Sequence, residues 1–273
     1  MEYEEFLTKL GLDTSVVNKV LDTKLDEKLI KKSYSLIMKH VFVFRLYLAI
    51  QAKKLKISTR FLCLCIYLKV AYMQYTLNLF NMSTEEYFLQ FRDIKLWLDE
   101  YYEQTGEYGI KAFRWISRSL SGKVMRIGRL QFGIHHVHVM PFFKFSIKKR
   151  NILSIHIPKD GKLCYDDVII SFKDAIKKFN TTEIYCTSWL LDKNLRKFIN
   201  QDSNIIKYQN LFDVKFRVRS KQALIRTYGR GVSKYEDFPE NTSLQKKLKE
   251  YVVGGGKTYI GYGVLRKDFS EIA

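Results

Sequence analysis

The stretch NILSIHIPKDGKLCYDDVIISFKDAIKKF, Asn151 to Phe179, decides the fold. Ile152, Leu153, Ile155 and Ile157 make an apolar strand pattern that stops at Pro158. A short polar loop with Gly161 follows, and then Val168, Phe172, Ala175, Ile176 and Phe179 recur at helical spacing. Strand, loop and helix in that order set a helix N-terminus, with its free N–H groups, at the end of a sheet. Such a corner is able to hold a phosphorylated ligand. It reads equally as an ordinary capped turn. Asp166 and Asp167 fall in the cap and first turn, where carboxylates satisfy those N–H groups themselves.

Working outward, the flanks of this stretch differ in kind. Downstream come a strand at 183–191, a short helix at 193–200 and strands near 211–219 and 222–228. Thr242 and Gln245 form a capping box that opens the helix SLQKKLKEYVV; Gly254, Gly255 and Gly256 stop it, and TYIGYGVL is a last strand. Upstream, MRIGRLQFGIHHVHV and PFFKFSI alternate as strands. Before residue 125 the period becomes helical, over about 2–10, 14–22, 25–40, 44–57, 60–80, 84–104 and 110–121. The three prolines lie at 141, 158 and 239, so none interrupts these helices. Ser83 and Glu86 make a capping box for the sixth, and Gly106 and Gly109 mark the break before the last. The expected fold is α+β: an all-helical domain over 1–125 and a mixed-sheet α/β domain over 126–273.

Charge separates the same two halves. The 273-residue chain carries a net +19 and is 47% hydrophobic, enough for sizeable cores. Residues 1–125 hold 19 Lys and Arg against 14 Asp and Glu; residues 126–273 hold 28 against 14. The densest basic runs are KFSIKKR (144–150) and KFRVRSKQALIRTYGR (215–230). Basic surface draws anions, whether nucleic acid, a phosphorylated cofactor or an acidic carrier protein. Solvated, lysine-rich strand faces account for it as well. The apolar segment FLCLCIYLKVAYMQYTLNLF is interrupted by Lys69 and Gln74, so neither a membrane span nor a membrane partner is expected. The acidic, amphipathic start MEYEEFLTKL has no leader pattern. Four cysteines make no disulfide framework, and Cys63 and Cys65 lack zinc-ligand spacing, which points to a reducing, cytoplasmic setting.

Several residue groups carry chemistry. Cys186 and Ser188 share one strand face; Ser188 is placed to meet a reacting carbonyl, and Trp189 either walls a cleft or packs in the core. No glycine-flanked elbow surrounds the serine, so it is not read as a nucleophile. His135, His136 and His138 lack a further ligand, and no metal is expected. His156, at the strand end, suits a base at neutral pH or a structural hydrogen bond. GGGKT (254–258) follows a helix and lacks P-loop spacing.

The order of motifs also resembles a known family. RIGRLQF (126–132), HIP with GKL (156–163), SFKDAIKKF (171–179), CTSWLLDKNL (186–195), SNIIKYQNLF (203–212), PENTSLQKKL (239–248) and GGGKTYIGYGVL (254–265) fall in sequence, after Asp93, Trp97, GEYG and FRW. Over roughly 83–273 this is similar to bacterial acyltransferase-domain proteins that join a helical N-terminal domain to a GNAT-like C-terminal domain. The resemblance implies a thioester donor, most often acyl-CoA, and an amine acceptor chosen under the helical domain. An acidic carrier protein or aminoacyl-tRNA are the other donors it allows, and it leaves the oligomeric state unspecified. It implies a corner holding the donor's pyrophosphate and strands 151–157 and 183–191 splayed around its tail. For such chemistry the expected catalytic set is His156 as base, Ser188 with strand backbone at the carbonyl and Tyr208 as acid. Ile157, Gly161, Lys162, Trp189 and Asn204 are the expected donor contacts. PKDGKLCYD keeps only Gly161 of the family's phosphate signature, and Gly133 stands where the family has an acidic residue after RLQF. Two rival readings stay open: a single-strand nucleic-acid binder using Phe143, Phe145, Phe216 and Tyr228, and a catalytically silent scaffold.

Overall fold

The computed structural model describes residues 1–139, 148–229 and 234–266, with side chains given outside 136–151. The chain divides into two units, Met1–Arg126 and Ile127–Ala273.

The first unit is all helical: α1 Tyr3–Lys9, α2 Thr14–Asp22, α3 Glu27–Lys39, α4 Val41–Leu55, α5 Thr59–Thr76, α6 Thr84–Phe91, α7 Asp93–Thr105 and α8 Phe113–Leu120. The pattern over 84–104 is thus two helices, α6 and α7, and not one. Helix α5 starts where Ser58 Oγ accepts the Phe61 N–H, and it is buried along most of its length, so its apolar residues face inward on nearly every side. It packs against α1, α3, α4, α7 and α8. Two of its buried polar side chains bond to α8: the Tyr67 hydroxyl donates to the Phe113 carbonyl, and the Gln74 amide donates to the Leu120 carbonyl. The capping box of Ser83 and Glu86 opens α6 as expected. Asp93 accepts from the Trp115 indole at 2.9 Å, which ties two of the quoted motifs together. Among the described residues no helix is long and apolar enough to cross a membrane.

The second unit contains β1 Val124–Ile127, which lies across the division, then β2 Leu130–Val139, β3 Lys148–His156, α9 Tyr165–Phe179, β4 Ile184–Ser188, α10 Asn204–Asn210, β5 Phe212–Arg219, α11 Gln222–Tyr228, α12 Ser243–Val253 and β6 Tyr259–Leu265. The six strands run in the order β1-β2-β3-β4-β6-β5. All described pairings are antiparallel except β3 with β4. Helix α9 supplies the right length of crossover between those two parallel strands. Leu153, Phe132, Ile184 and Cys186 face Val168, Phe172 and Ala175 of α9 in one core.

Three further expectations, all in the second unit, need correction. Residues 222–228 form helix α11 and not a strand, because the Ser220 N–H donates to the Thr258 carbonyl, the Ser220 carbonyl accepts from the Thr258 hydroxyl, and the Ser220 hydroxyl accepts the Gln222 N–H, turning the chain out of the sheet. Strand β4 stops at Ser188, three residues early: the Ser188 hydroxyl accepts the Leu190 N–H and starts a 3-10 turn, Trp189–Leu191. The helix placed at 193–200 is a 3-10 turn over Lys193–Lys197, capped by Asp192.

Candidate active site

Strands β3 and β4 pair only over Leu153↔Ile184, Ser154↔Tyr185 and Ile155↔Cys186. Both continue beyond that, β3 to His156 and β4 to Ser188, so a fork opens at their C-terminal ends. Backbone groups alternate edges along a strand. The Leu153 N–H bonds the Glu183 carbonyl, so the Ile157 N–H, four residues on, faces the same edge. It meets no acceptor among the described residues. On the far side, Thr187 and Ser188 stay paired to Tyr262 and Gly261 of β6. Gly261 is needed there: a Cβ on it would lie 2.6 Å from the Leu191 carbonyl oxygen and side chain.

The corner after β3 is strapped by Arg129, which sits in the β1–β2 turn. Its guanidinium donates to the Pro158 carbonyl at 3.0 Å, the Gly161 carbonyl at 2.9 Å and the Lys162 carbonyl at 3.2 Å, and pairs with Asp160 at 3.0 Å. Its backbone N–H is held by Ser171 of α9. With three carbonyls turned to one cation, the loop's N–H groups are left for something else. Those of Lys159, Gly161, Lys162 and Leu163 meet no acceptor among the described residues. Asp166 and Asp167 are exposed and cap none of the first-turn N–H groups of α9; Cys164, at the cap, makes no side-chain bond either. The self-capped turn that the sequence allows is therefore not what forms. Gly161 has φ +147°, open space around it, and an exposed Lys162 beside it.

The remaining predicted residues divide between the two faces of the sheet. Leu153, Ile155 and Cys186 point into the core beneath α9, so by alternation Ser154, His156 and Thr187 point to the opposite, outer face. Burial, then Arg226, then Arg129, push the His156 imidazole down to about 4, so it is neutral near pH 7. Gln131, opposite it in register, is fully buried, and both its amide atoms lack a partner among the described residues. Gly133 lies opposite Ser154, whose hydroxyl donates to the Gly133 carbonyl and bonds His135 Nε2 at 2.8 Å. On the core face, the Tyr208 hydroxyl of α10 lies 3.2 Å from the Sγ of Cys186, the last paired residue before the fork. Burial holds this phenol well above its ordinary range. Ser188 is half-buried and Trp189 packs between two core clusters, its N–H taken by Gln222. Asn204 is exposed at the first position of α10.

Sequence reasoning missed Arg129, Gln131, Gln222 and Asp192. Asp192 is buried and accepts from the Asn194 and Tyr259 N–H groups and from Arg217. Arg129 stands in RIGRLQF, but nothing local says that its partners lie some 30 residues on. The other candidates fare differently. No group of three or more His, Cys, Asp or Glu able to hold a metal occurs among the described residues; the side chains of His136 and His138 lie outside them. Phe143 and Phe145 also lie outside the described residues, as does most of KFSIKKR. Phe216 stacks on Tyr262, and Tyr228 stacks on Phe238 with its hydroxyl donated to Gln245.

Comparison with known proteins adds to this geometry. Residues 124–265 match the model of a GNAT-like C-terminal domain, and residues 1–122 that of an N-acyltransferase N-terminal domain. No curated protein matches the chain. Among solved structures, an acyltransferase in complex with decanoyl-CoA and teicoplanin superposes with a TM-score of 0.73 at 16% identity, over 97% of this chain and 88% of that one. An acyltransferase in complex with decanoyl-CoA gives 0.74 at 16%, over 96% and 86%. A mutant acyltransferase in complex with octanoyl-CoA gives 0.72 at 15%, over 96% and 87%. At such identities the likeness concerns the fold.

Proposed function

The chain belongs to the acyltransferase family that joins an N-acyltransferase N-terminal domain to a GNAT-like C-terminal domain, and from that premise we propose that it moves an acyl group from acyl-CoA to an amine. The observation that carries the reading is the fork, with a neutral imidazole on one face of the sheet and a protonated phenol on the other.

In this reading the donor's pyrophosphate rests on the N–H groups of Gly161 and its neighbours, with Lys162 adding charge and Asn204 and Trp189 bordering the donor. The pantetheine arm enters the fork and takes the Ile157 N–H, as a missing strand would. The thioester carbonyl lies near Ser188, whose hydroxyl proton is available, since its oxygen only accepts from Leu190. The acceptor amine approaches from the outer face. Its nitrogen bonds the carbonyl carbon, His156 takes the proton released from nitrogen, the C–S bond breaks, and Tyr208 protonates the thiolate. Acid and base on opposite faces keep the two proton transfers apart. The vacant place of the family's acidic residue, Gly133, lies two pairs along the ladder from His156, so the imidazole is the nearby substitute base in this reading.

The test is thermal: a melt against a panel of CoA thioesters. A real donor site raises the melting temperature with ligand concentration by mass action. Lys162→Glu should reduce the shift. No shift with any thioester would end the reading.

A further inference from the structure

Helix α4, VFVFRLYLAIQAKKL, carries apolar residues on opposite sides, and one of those sides has no cover. Phe44, Leu48 and Ala52 are buried in the core of the helical unit. Helical spacing puts Phe42, Leu46 and Ile50 on the opposite side, with Val43 beside them. Phe42 is 66% exposed, Leu46 68%, Ile50 57% and Val43 50%. Single exposed apolar residues need no explanation, but a continuous row on one helix face marks an interaction surface.

Charge selects the partner. From Lys28 to Thr84 the chain has ten Lys and Arg and not one Asp or Glu. Arg45 and Lys54 flank the exposed row, and Lys53 stands at its C-terminal end, all three exposed. Arg114 adds a further cation 5.8 Å from the Phe42 ring. A second copy seated here would bring two net-basic faces together, against their mutual repulsion. A polynucleotide would answer the cations but not Leu46 and Ile50, which offer no ring for a base to stack on. An anionic lipid surface answers both. The aliphatic row enters the headgroup boundary, and the long basic side chains reach back to the phosphates.

We infer that α4 docks the protein peripherally on anionic lipid bilayers through Phe42, Val43, Leu46 and Ile50. The helix lies on the bilayer and does not span it. This adds a partner that the sequence reading excluded, and it is independent of the acyl-transfer site.

The test uses the full chain, sedimented with phosphatidylcholine vesicles with and without phosphatidylserine. Co-sedimentation is expected with the serine-containing vesicles and should weaken with salt. Leu46→Gln with Ile50→Gln leaves the charge unchanged and should abolish it without moving the melting temperature, because both side chains are exposed. Lys53→Glu with Lys54→Glu should lower the partition about tenfold or more. Three results would overturn the inference: no vesicle binding, equal binding to neutral vesicles, or unchanged binding by the double glutamine variant. A concentration-dependent dimer abolished by that variant would also overturn it, assigning the row to a second copy.

Discussion

Replacing Arg129 with methionine removes the strap but keeps most of the apolar stem. The variant loses three bonds to loop carbonyls and the partner of Asp160, whose side chain is only 3% exposed. Breaking a buried pair from one side costs about 3–5 kcal/mol, because the remaining charge keeps its desolvation penalty. Asp160 has a further interaction of its own, so the lower end, about 3 kcal/mol, is the expected loss. For a unit of this size that is a fall of roughly 6–12 °C in melting temperature. Donor binding should suffer separately. Carbonyls released from Arg129 are free to rotate into the space where the loop N–H groups now point, and an anion there would meet oxygen. Differential scanning calorimetry gives the first quantity and titration calorimetry with CoA the second, below the transition. Arg129→Lys keeps the charge but offers three donors on a flexible stem, so it should recover part of the stability and little of the affinity. A methionine variant that binds CoA as the parent does would refute the claim that Arg129 sets the direction of the loop's N–H groups.

The other expectations concern the fork. His156→Gln should lower kcat about 10²–10⁴-fold with little change in donor KM. Because the folded imidazole titrates at about 4 against an ordinary 6.5, the unfolded chain binds its proton first. Stability from this group is whole above about 6.5 and is lost as pH falls toward about 4; denaturant melts at several pH values should show that slope flattened in His156→Gln. Tyr208→Phe should leave the fold within about 1.5 kcal/mol, since only the contact with Cys186 Sγ is lost, and should slow thiol release in single-turnover assays. Gly261→Ala should destabilise by about 1–3 kcal/mol or more, because its methyl meets the Leu191 backbone; an unchanged melting temperature would show that β6 lies further from the 3-10 turn.

How much of this was legible depends on whether the cause is local. Strand, Pro158, Gly161 and the periodic face of α9 are local signals, and they place the corner. The capping boxes of Ser83 and Thr242 are local too, and both form. What decides whether the corner is self-capped is Arg129, about 30 residues upstream, and no spacing rule connects a β-turn arginine to a later loop. Strand β5 shows the same limit. Phe212, Val214, Phe216 and Val218 alternate as one apolar face in sequence. A register shift between Val214 and Phe216 keeps the first two with the core and sends the second pair to the outer face, where Phe216 stacks on Tyr262. Helix α11 is hidden for a like reason: its residues suit a strand, and only the tie between Ser220 and Thr258 ends the ladder.

The fork itself has two causes, one on each side. On β3, residue 158 faces the β2 edge and is proline, so it has no N–H to extend that ladder, and Arg129 draws its carbonyl and the next turn toward α9. On β4, Thr187 and Ser188 remain paired to β6, and the chain then folds onto Gly261 and Gly263, where Leu191 packs against bare backbone. Each strand is thus held by a neighbour other than the one it faces. A ligand does not have to prise them apart, since the anchoring that separates them is already made within the protein. That is why the Ile157 N–H meets no acceptor among the described residues. Filling the fork restores a hydrogen bond that the fold withholds, and this favours an occupant with amide and carbonyl groups along an extended, narrow chain over a compact one.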